Sequence, residues 1–248
     1  MGRSSRPSSV ACMNTQRTCA AGLAALALAL AGSAAAQHTS TAATHPGFSA
    51  RVTNLWFPLR PGSTYVYRGV KDGEPSREVM IVTRRTKVID GAECVVVSDR
   101  LFLRGRLEER TIDWYSQDAR GNVWYFGEQT AELDKNGRVK NTSGSWQSGV
   151  NGARAGIFMF AHPKPGRWAR QEFYKGEAED HFMVLSLRST VSVPYVSTSR
   201  ALLTKEWTPL EPGVIDHKYY VRGIGTVLEQ TAKGPLERNE LLSFRRGA

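Results

Sequence analysis

Cysteine is scarce in this 248-residue sequence, which has three cysteines, and two of them, Cys12 and Cys19, lie in the first 36 residues. The remaining Cys94 has no second thiol to pair with. This excludes a disulfide framework and every metal site built on paired cysteines. Cys94 lies in a run of β-branched residues, which favours a buried thiol.

Several signatures of catalysis and of cofactor or nucleic-acid binding are also missing. The sequence has no glycine-rich phosphate loop, no Gly-x-Ser-x-Gly elbow and no HExxH, and its five histidines are scattered. We therefore predict neither a metal nor an organic cofactor. The net charge is +10, but lysine and arginine alternate with acidic residues along the chain, so we predict no nucleic-acid partner and only a weak attraction to anionic envelope surfaces.

Long apolar runs are absent except near the start of the chain. There, a basic stretch precedes the apolar run Ala20–Ala31, which is too short to span a bilayer and is followed by three alanines that end at Ala36. We therefore expect residues 1–36 to be a signal peptide, started at Met1 or Met13. The mature protein is then periplasmic or secreted in a bacterium. No other stretch approaches the length of a membrane span, so we expect no transmembrane segment.

The rest of the chain divides into a short polar stretch and a long β-rich one. Residues 37–50 are mainly threonine, alanine, serine and histidine, which predicts a flexible tether. In residues 51–248, β-branched and aromatic runs alternate with turn dipeptides such as Asp72-Gly73, and no capped helical stripe occurs. The pattern predicts a single all-β domain, an antiparallel meander that forms a half-barrel or barrel. A β-sandwich is the alternative.

Several motifs resemble an uncharacterised family of exported bacterial β-proteins. They are the opening strand FPLRPGSTYVY (57–67), the hairpin DWYSQD and GNVWYFGE (113–128), the segments WTPLEPG (207–213) and HKYY (217–220), and the closing hairpin YVRGIGTV (220–227). The resemblance covers nearly the whole mature chain. It implies a secreted antiparallel β-domain, related in shape to the half-barrel carriers of periplasmic lipoproteins, and it implies no activity.

Aromatic residues are the first candidates for ligand contacts. In the hairpin over residues 113–128, alternation sends successive rings to opposite faces, so neither face is simply solvent. One interpretation is cross-strand packing that fixes the register, and the other is the wall of an apolar pocket in a barrel. The candidate ligand-binding residues are Trp114, Tyr115, Trp124, Tyr125 and Trp207.

Acidic residues and histidines form a weaker candidate site. Glu177, Glu179 and His181 would share one face if this segment were a strand, and Asp216 and His217 lie on a later strand. Carboxylates with imidazoles are able to bind a divalent metal or to act as an acid–base pair. A solvated sheet face is the alternative interpretation.

Three hypotheses of function follow from these features. The first is a non-enzymatic domain that binds an apolar or amphipathic small molecule or an envelope component. The second is a metal- or carboxylate-dependent, hydrolase-like enzyme that uses the acidic residues and histidines. The third is a structural envelope protein without a ligand. Convergence of the acidic residues and histidines in a cleft would favour the second hypothesis.

Overall fold

The computed structural model describes residues 47–247, so the predicted signal peptide and residues 37–46 of the predicted tether lie outside the described residues. All regular structure in this part of the chain is strand, and it holds no helix long and apolar enough to cross a membrane. The strands are β1 (Phe48–Ser49), β2 (Thr64–Lys71), β3 (Glu74–Ile89), β4 (Ala92–Leu103), β5 (Arg106–Asp118), β6 (Val123–Leu133), β7 (Val139–Asn141), β8 (Trp146–Gln147), β9 (Arg154–Met159), β10 (Trp168–Arg170), β11 (Glu172–Phe173), β12 (His181–Ser192), β13 (Ser197–Trp207), β14 (Ile215–Val221), β15 (Gly225–Lys233) and β16 (Arg238–Arg245).

The strands form one antiparallel sheet, in the order β10-β12-β13-β14-β15-β16-β2-β3-β4-β5-β6-β9-β11. Most neighbours in space are also neighbours in sequence, which confirms the predicted meander. β7 and β8 pair with β6 beside this path, and β1 pairs with β5.

The sheet is nearly closed into a barrel, because its two end strands are consecutive in the chain. β10 pairs with β12, β11 pairs with β9, and only Gln171 separates β10 from β11. Gly156 permits the close approach at this seam, since a Cβ there would lie 2.4 Å from the carbonyl oxygen of Arg170. The barrel prediction is therefore confirmed and the sandwich alternative is not observed.

Two-residue turns set the register of several hairpins. Asp72 and Gly73 have φ angles of 52° and 76°, and Asp90 and Gly91 have 48° and 74°. Positive φ at both turn residues fits the twist of the flanking strands, which is why Asp-Gly is a reliable hairpin signal.

We call the end of the barrel that carries the β2–β3 turn the acidic end and the opposite end the basic end. At the basic end, residues 50–61 fold over the opening and bury Trp56, Phe57 and Leu59. Asn54 holds this segment: its side-chain oxygen accepts a hydrogen bond from the backbone N–H of Trp56 (2.8 Å), and its amide donates to the carbonyl of Phe160 (3.2 Å). The barrel is thus plugged by its own chain at this end.

The predicted tether is wrong at its last residues. Phe48 lies in β1, which pairs with β5, and its ring packs edge-on against Trp124 and Phe126 at centroid distances of 5.8 and 5.2 Å. A polar composition predicts a tether, but a single aromatic ring with an apolar surface to cover is enough to order residues 48–50.

Candidate functional site

Tyr115 and Tyr125 of the aromatic hairpin face the barrel interior. Their rings stack at 4.8 Å, and Tyr115 also packs against Phe57 (5.4 Å) and Phe158 (5.2 Å). The Tyr125 hydroxyl donates a hydrogen bond to Asp113 at 2.8 Å. These contacts make the two tyrosines core residues rather than the wall of an open pocket.

Trp114 and Trp124 face the outside of the barrel, where they belong to a second, smaller core with Cys94 and Phe126. The β1 strand covers this cluster, and the Lys87 ammonium lies 3.5 Å from the centroid of the Trp114 ring. Burial raises the pKa of the Cys94 thiol to about 12, consistent with the predicted buried thiol. Both faces of the hairpin are therefore covered by protein, as its ring pattern predicted.

Trp207 lies on the outer face, apart from the other four aromatic candidates. Its ring stacks on His181 at 5.5 Å, and the Lys205 ammonium lies 4.7 Å from its centroid. Trp168, which is 61% exposed, contacts His181 from β10 with its ring tilted by 40°, at a centroid distance of 6.0 Å. The five predicted ligand-binding residues are thus split over three places.

The predicted acidic and histidine site does not converge. Glu177 lies in an exposed turn, and Glu179 accepts a hydrogen bond from the backbone N–H of Gly176 (2.8 Å), so the premise of a strand with Glu177, Glu179 and His181 on one face is wrong. The turn, which is closed by the bridge between Tyr174 and Ala178, ends before β12 begins.

Asp216 and His217 point to opposite sides of β14, because successive side chains of a strand alternate. Asp216 is buried and His217 is half-buried on the outer face, where burial lowers its pKa. Burial also lowers the pKa of His181 on the same outer face. The sheet therefore separates the Asp216 carboxylate from both imidazoles, and this geometry gives no acid–base pair.

The barrel interior holds many carboxylates that the sequence analysis missed. Nine of the chain's 23 acidic residues are buried, and two lysines are buried with them in the described part of the chain. They lie towards the acidic end, whereas the apolar part of the interior lies towards the plugged end. The buried acidic residues are Glu78, Asp99, Glu109, Asp113, Glu128, Glu172, Asp180, Glu206 and Asp216.

Burial and mutual repulsion raise the pKa of several of these groups. The pKa of Glu128 is raised by burial and then by the charges of Glu172 and Asp113. The pKa of Glu78 is raised by burial and then by Asp99. These carboxyls are therefore favoured in their neutral form, in which a carboxylic acid also donates a hydrogen bond.

Lys218 is the main positive charge among these carboxylates. Its ammonium lies 2.9 Å from Glu206 and 3.5 Å from Glu229, and its side chain is 1% exposed. Burial alone would lower the pKa of Lys218, but the two carboxylates outweigh burial and hold it well above its ordinary value. Burial raises the pKa of Glu229 to about 7, although Lys218 acts in the opposite direction.

An open cleft lies on the outer surface at the basic end and has a volume of about 640 Å³. Its lining comes from β12, β13, the turn after β14 and the plugging segment. The lining residues are Trp56, Leu187, Arg188, Ser199, Arg200 and Arg222.

Bulges and the plugging segment shape this cleft. The pairing of β12 with β13 shifts register three times between Val184 and Val191, and such irregularities re-aim side chains at the rim of a barrel. Trp56, which is 4% exposed, forms the floor, and the Arg222 guanidinium lies 4.8 Å from its ring centroid. The cleft therefore combines an apolar floor with exposed guanidinium groups.

The charge around the cleft has one sign. No acidic residue occurs between Asp180 and Glu206, between Asp216 and Glu229, or before Asp72. Arg188, Arg200 and Arg222 make no ion pair with any residue in the described range 47–247. The acid-free intervals are a sequence signal for this site, but only the fold shows that they meet at one end.

Metal binding finds no support in the described part of the chain. Among residues 47–247, no group of three or more histidine, cysteine, aspartate or glutamate side chains is arranged to hold a metal ion. The carboxylates are many, but they are distributed around the barrel wall. The predicted lack of a cofactor stays a prediction.

Comparisons with known proteins give one likeness. No family model and no curated protein matches the sequence. Among solved structures, the chain is similar to the crystal structure of a "putative lipoprotein" from Parabacteroides distasonis ATCC 8503, with a TM-score of 0.42 and 9% identity over 77% of this chain and 99% of that chain.

Proposed function

We propose that this protein is an exported binding protein for an anionic amphiphile, held in the cleft over Trp56 without chemical conversion. The observation that carries the proposal is an apolar floor beside three arginines that make no ion pair within residues 47–247, in a described lining without a carboxylate. Guanidinium groups bind carboxylate and phosphate head groups in a fixed, often bidentate geometry. A volume of about 640 Å³ is in the range of small-molecule sites.

Binding without conversion fits the chemistry of the lining. The described lining carries no carboxylate, imidazole or thiol, and Ser199 has none of these groups beside it in the cleft to activate it as a nucleophile. The predicted export agrees with the ligand class, because the envelope is where anionic amphiphiles are abundant. Four of the five aromatic residues expected to hold the ligand pack in the two cores, and Trp207 stacks on His181, so the proposed site differs from the predicted one.

The proposal is tested with three single-chain amphiphiles below their micelle concentrations: dodecyl phosphate, dodecyl maltoside and dodecyltrimethylammonium. We expect saturable binding of the phosphate by calorimetry, and weak or absent binding of the cation. Replacing both Arg188 and Arg200 with glutamine removes two charge-assisted contacts and is expected to weaken dodecyl phosphate binding about tenfold or more.

The matched control is a double variant with the same charge change, Arg110→Gln with Arg138→Gln, since both arginines are exposed and lie away from the cleft. This control is expected to bind like the wild type. Equal losses of dodecyl phosphate affinity in the two double variants would show that binding depends on the overall charge rather than on this cleft. Absence of saturable binding of any amphiphile by the folded wild type would favour the structural, ligand-free alternative.

A further inference from the structure

The basic end carries more positive charge than the cleft alone. Around it lie seven exposed arginines, which we call the arginine rim: Arg51, Arg60, Arg188, Arg200, Arg222, Arg245 and Arg246. The chain segments that meet here do so through direct contacts. The Arg246 guanidinium donates to the carbonyl of Gly223 (3.0 Å), and the backbone N–H of Gly223 donates to the carbonyl of Leu55 (2.7 Å).

Large apolar side chains are exposed beside the same arginines. Leu55 is 58% exposed next to the Gly223 turn, and Tyr195 is 41% exposed in the turn between β12 and β13. The Tyr195 ring contacts Phe244, which directly precedes Arg245 and Arg246. An apolar side chain and an aromatic side chain thus protrude from a surface of guanidinium groups.

Three acidic residues also lie at this end of the barrel. Asp90, Glu93 and Asp118 belong to the hairpins β3–β4 and β5–β6, and the Asp118 carboxylate already accepts hydrogen bonds from Asn122 and from the Trp124 indole (3.0 Å). Most other carboxylates lie inside the barrel or at the acidic end. The barrel is therefore electrically asymmetric along its axis.

From this asymmetry we infer that the arginine rim, with Leu55 and Tyr195, docks the barrel end-on against the surface of an anionic lipid bilayer. Basic side chains near an anionic leaflet each contribute attraction, and an exposed leucine and tyrosine insert at the level of the head groups. An acidic protein partner would account for the arginines but not for the protruding apolar side chains, which a bilayer surface would bury. Docked in this way, the cleft over Trp56 would open next to the leaflet.

The inference goes beyond the proposed function, since docking does not need an occupied cleft. It is tested by sedimentation of the exported chain with vesicles of phosphatidylcholine alone or with about one third phosphatidylglycerol, in about 0.1 M salt. We expect binding to the anionic vesicles only. Arg245→Gln with Arg246→Gln is expected to weaken that binding about tenfold or more.

A second pair of variants tests the orientation. Leu55→Ser with Tyr195→Ser is expected to reduce binding several-fold, whereas Leu236→Ser is expected to have no effect, because Leu236 is 76% exposed at the acidic end. Equal reductions of vesicle binding by the Leu55 and Tyr195 double change and by the Leu236 change would overturn end-on docking. Equal binding to neutral and anionic vesicles would overturn the role of the rim.

The two proposals fail separately. If vesicle binding is lost in the rim variants while dodecyl phosphate still binds the wild type in solution, both proposals stand. Loss of dodecyl phosphate binding in Arg188→Gln with Arg200→Gln supports the cleft alone. Wild-type protein that binds dodecyl phosphate but ignores anionic vesicles would overturn the docking and leave the cleft proposal intact.

Discussion

Lys218→Met is expected to lower the free energy of unfolding by about 3–5 kcal/mol, because it removes the buried ammonium that compensates the buried Glu206 carboxylate and the half-buried Glu229 carboxylate. Glu206 and Glu229 then remain without that partner, in a region that water reaches poorly. Total stabilities of small domains are about 5–15 kcal/mol, so such a loss is large. Urea denaturation followed by tryptophan fluorescence measures it.

Two variants separate the charge effect from packing. Lys233→Met makes the same change at the exposed end of β15 and is expected to alter stability by less than about 0.5 kcal/mol. Adding Glu206→Gln to Lys218→Met removes one of the stranded charges and is expected to restore part of the loss. A stability for Lys218→Met within about 1 kcal/mol of the wild type would contradict the assigned role of this lysine.

The stability of the protein is expected to fall as pH rises from about 4.5 towards 8. Carboxyls whose folded pKa lies above the unfolded one hold protons in the native state that the unfolded chain releases, so unfolding becomes easier as pH increases. The pKa of Glu229, raised by burial to about 7, accounts for about 3 kcal/mol between its ordinary pKa and that value. Glu78, Asp113, Glu128 and Asp180 shift in the same direction.

Other groups act against this trend, but they are fewer. His181 and His217 have pKa values lowered by burial, so they favour the native state as pH rises towards 6.5. Partial burial acts to raise the pKa of Asp118 and of Glu240, but hydrogen bonds donated to each carboxylate outweigh burial and lower it. The stability that these two carboxylates contribute is therefore lost only in more acidic solution. The expected maximum of stability is therefore near pH 4.5–5, which is more acidic than usual.

Thermal melting between pH 4 and 8 in one buffer series measures the profile. Glu229→Gln removes one titrating group and is expected to reduce the fall of the melting temperature between pH 4.5 and 7. Glu177→Gln makes the same change in an exposed turn and is the matched control. A melting temperature that rises steadily from pH 4.5 to 8 would contradict the account of the buried carboxyls.

The fold was largely predictable because its signals are local. Asp-Gly and Asn-Gly turns with positive φ separate the strands, and the two faces of the aromatic hairpin are both covered, as alternation indicates. β9, from Arg154 to Met159, carries a weak strand signal, because RAGIFM is short and holds Gly156 in its middle. That glycine is required by the closure of the barrel, which no local pattern reveals.

The candidate site was not predictable from local patterns. In β5, Glu109, Thr111 and Asp113 alternate with other residues as a solvent-facing row would, yet they point into the barrel. Acidic and basic residues are mixed along the sequence and become separated only when the sheet closes. The cleft depends on Trp56 and Arg222, which are 166 positions apart, so only the folded chain brings them together.

The most direct test of the proposed binding site is a solution NMR titration of residues 37–248 with dodecyl phosphate. The indole N–H of Trp56, identified by its disappearance in Trp56→Phe, and the guanidinium N–H of Arg222 are the reporters. The proposed site predicts saturable shifts of these two signals, while the indole signals of Trp114 and Trp146 stay in place. Shifts confined to Trp146 or Trp114, or none that saturate, would contradict it.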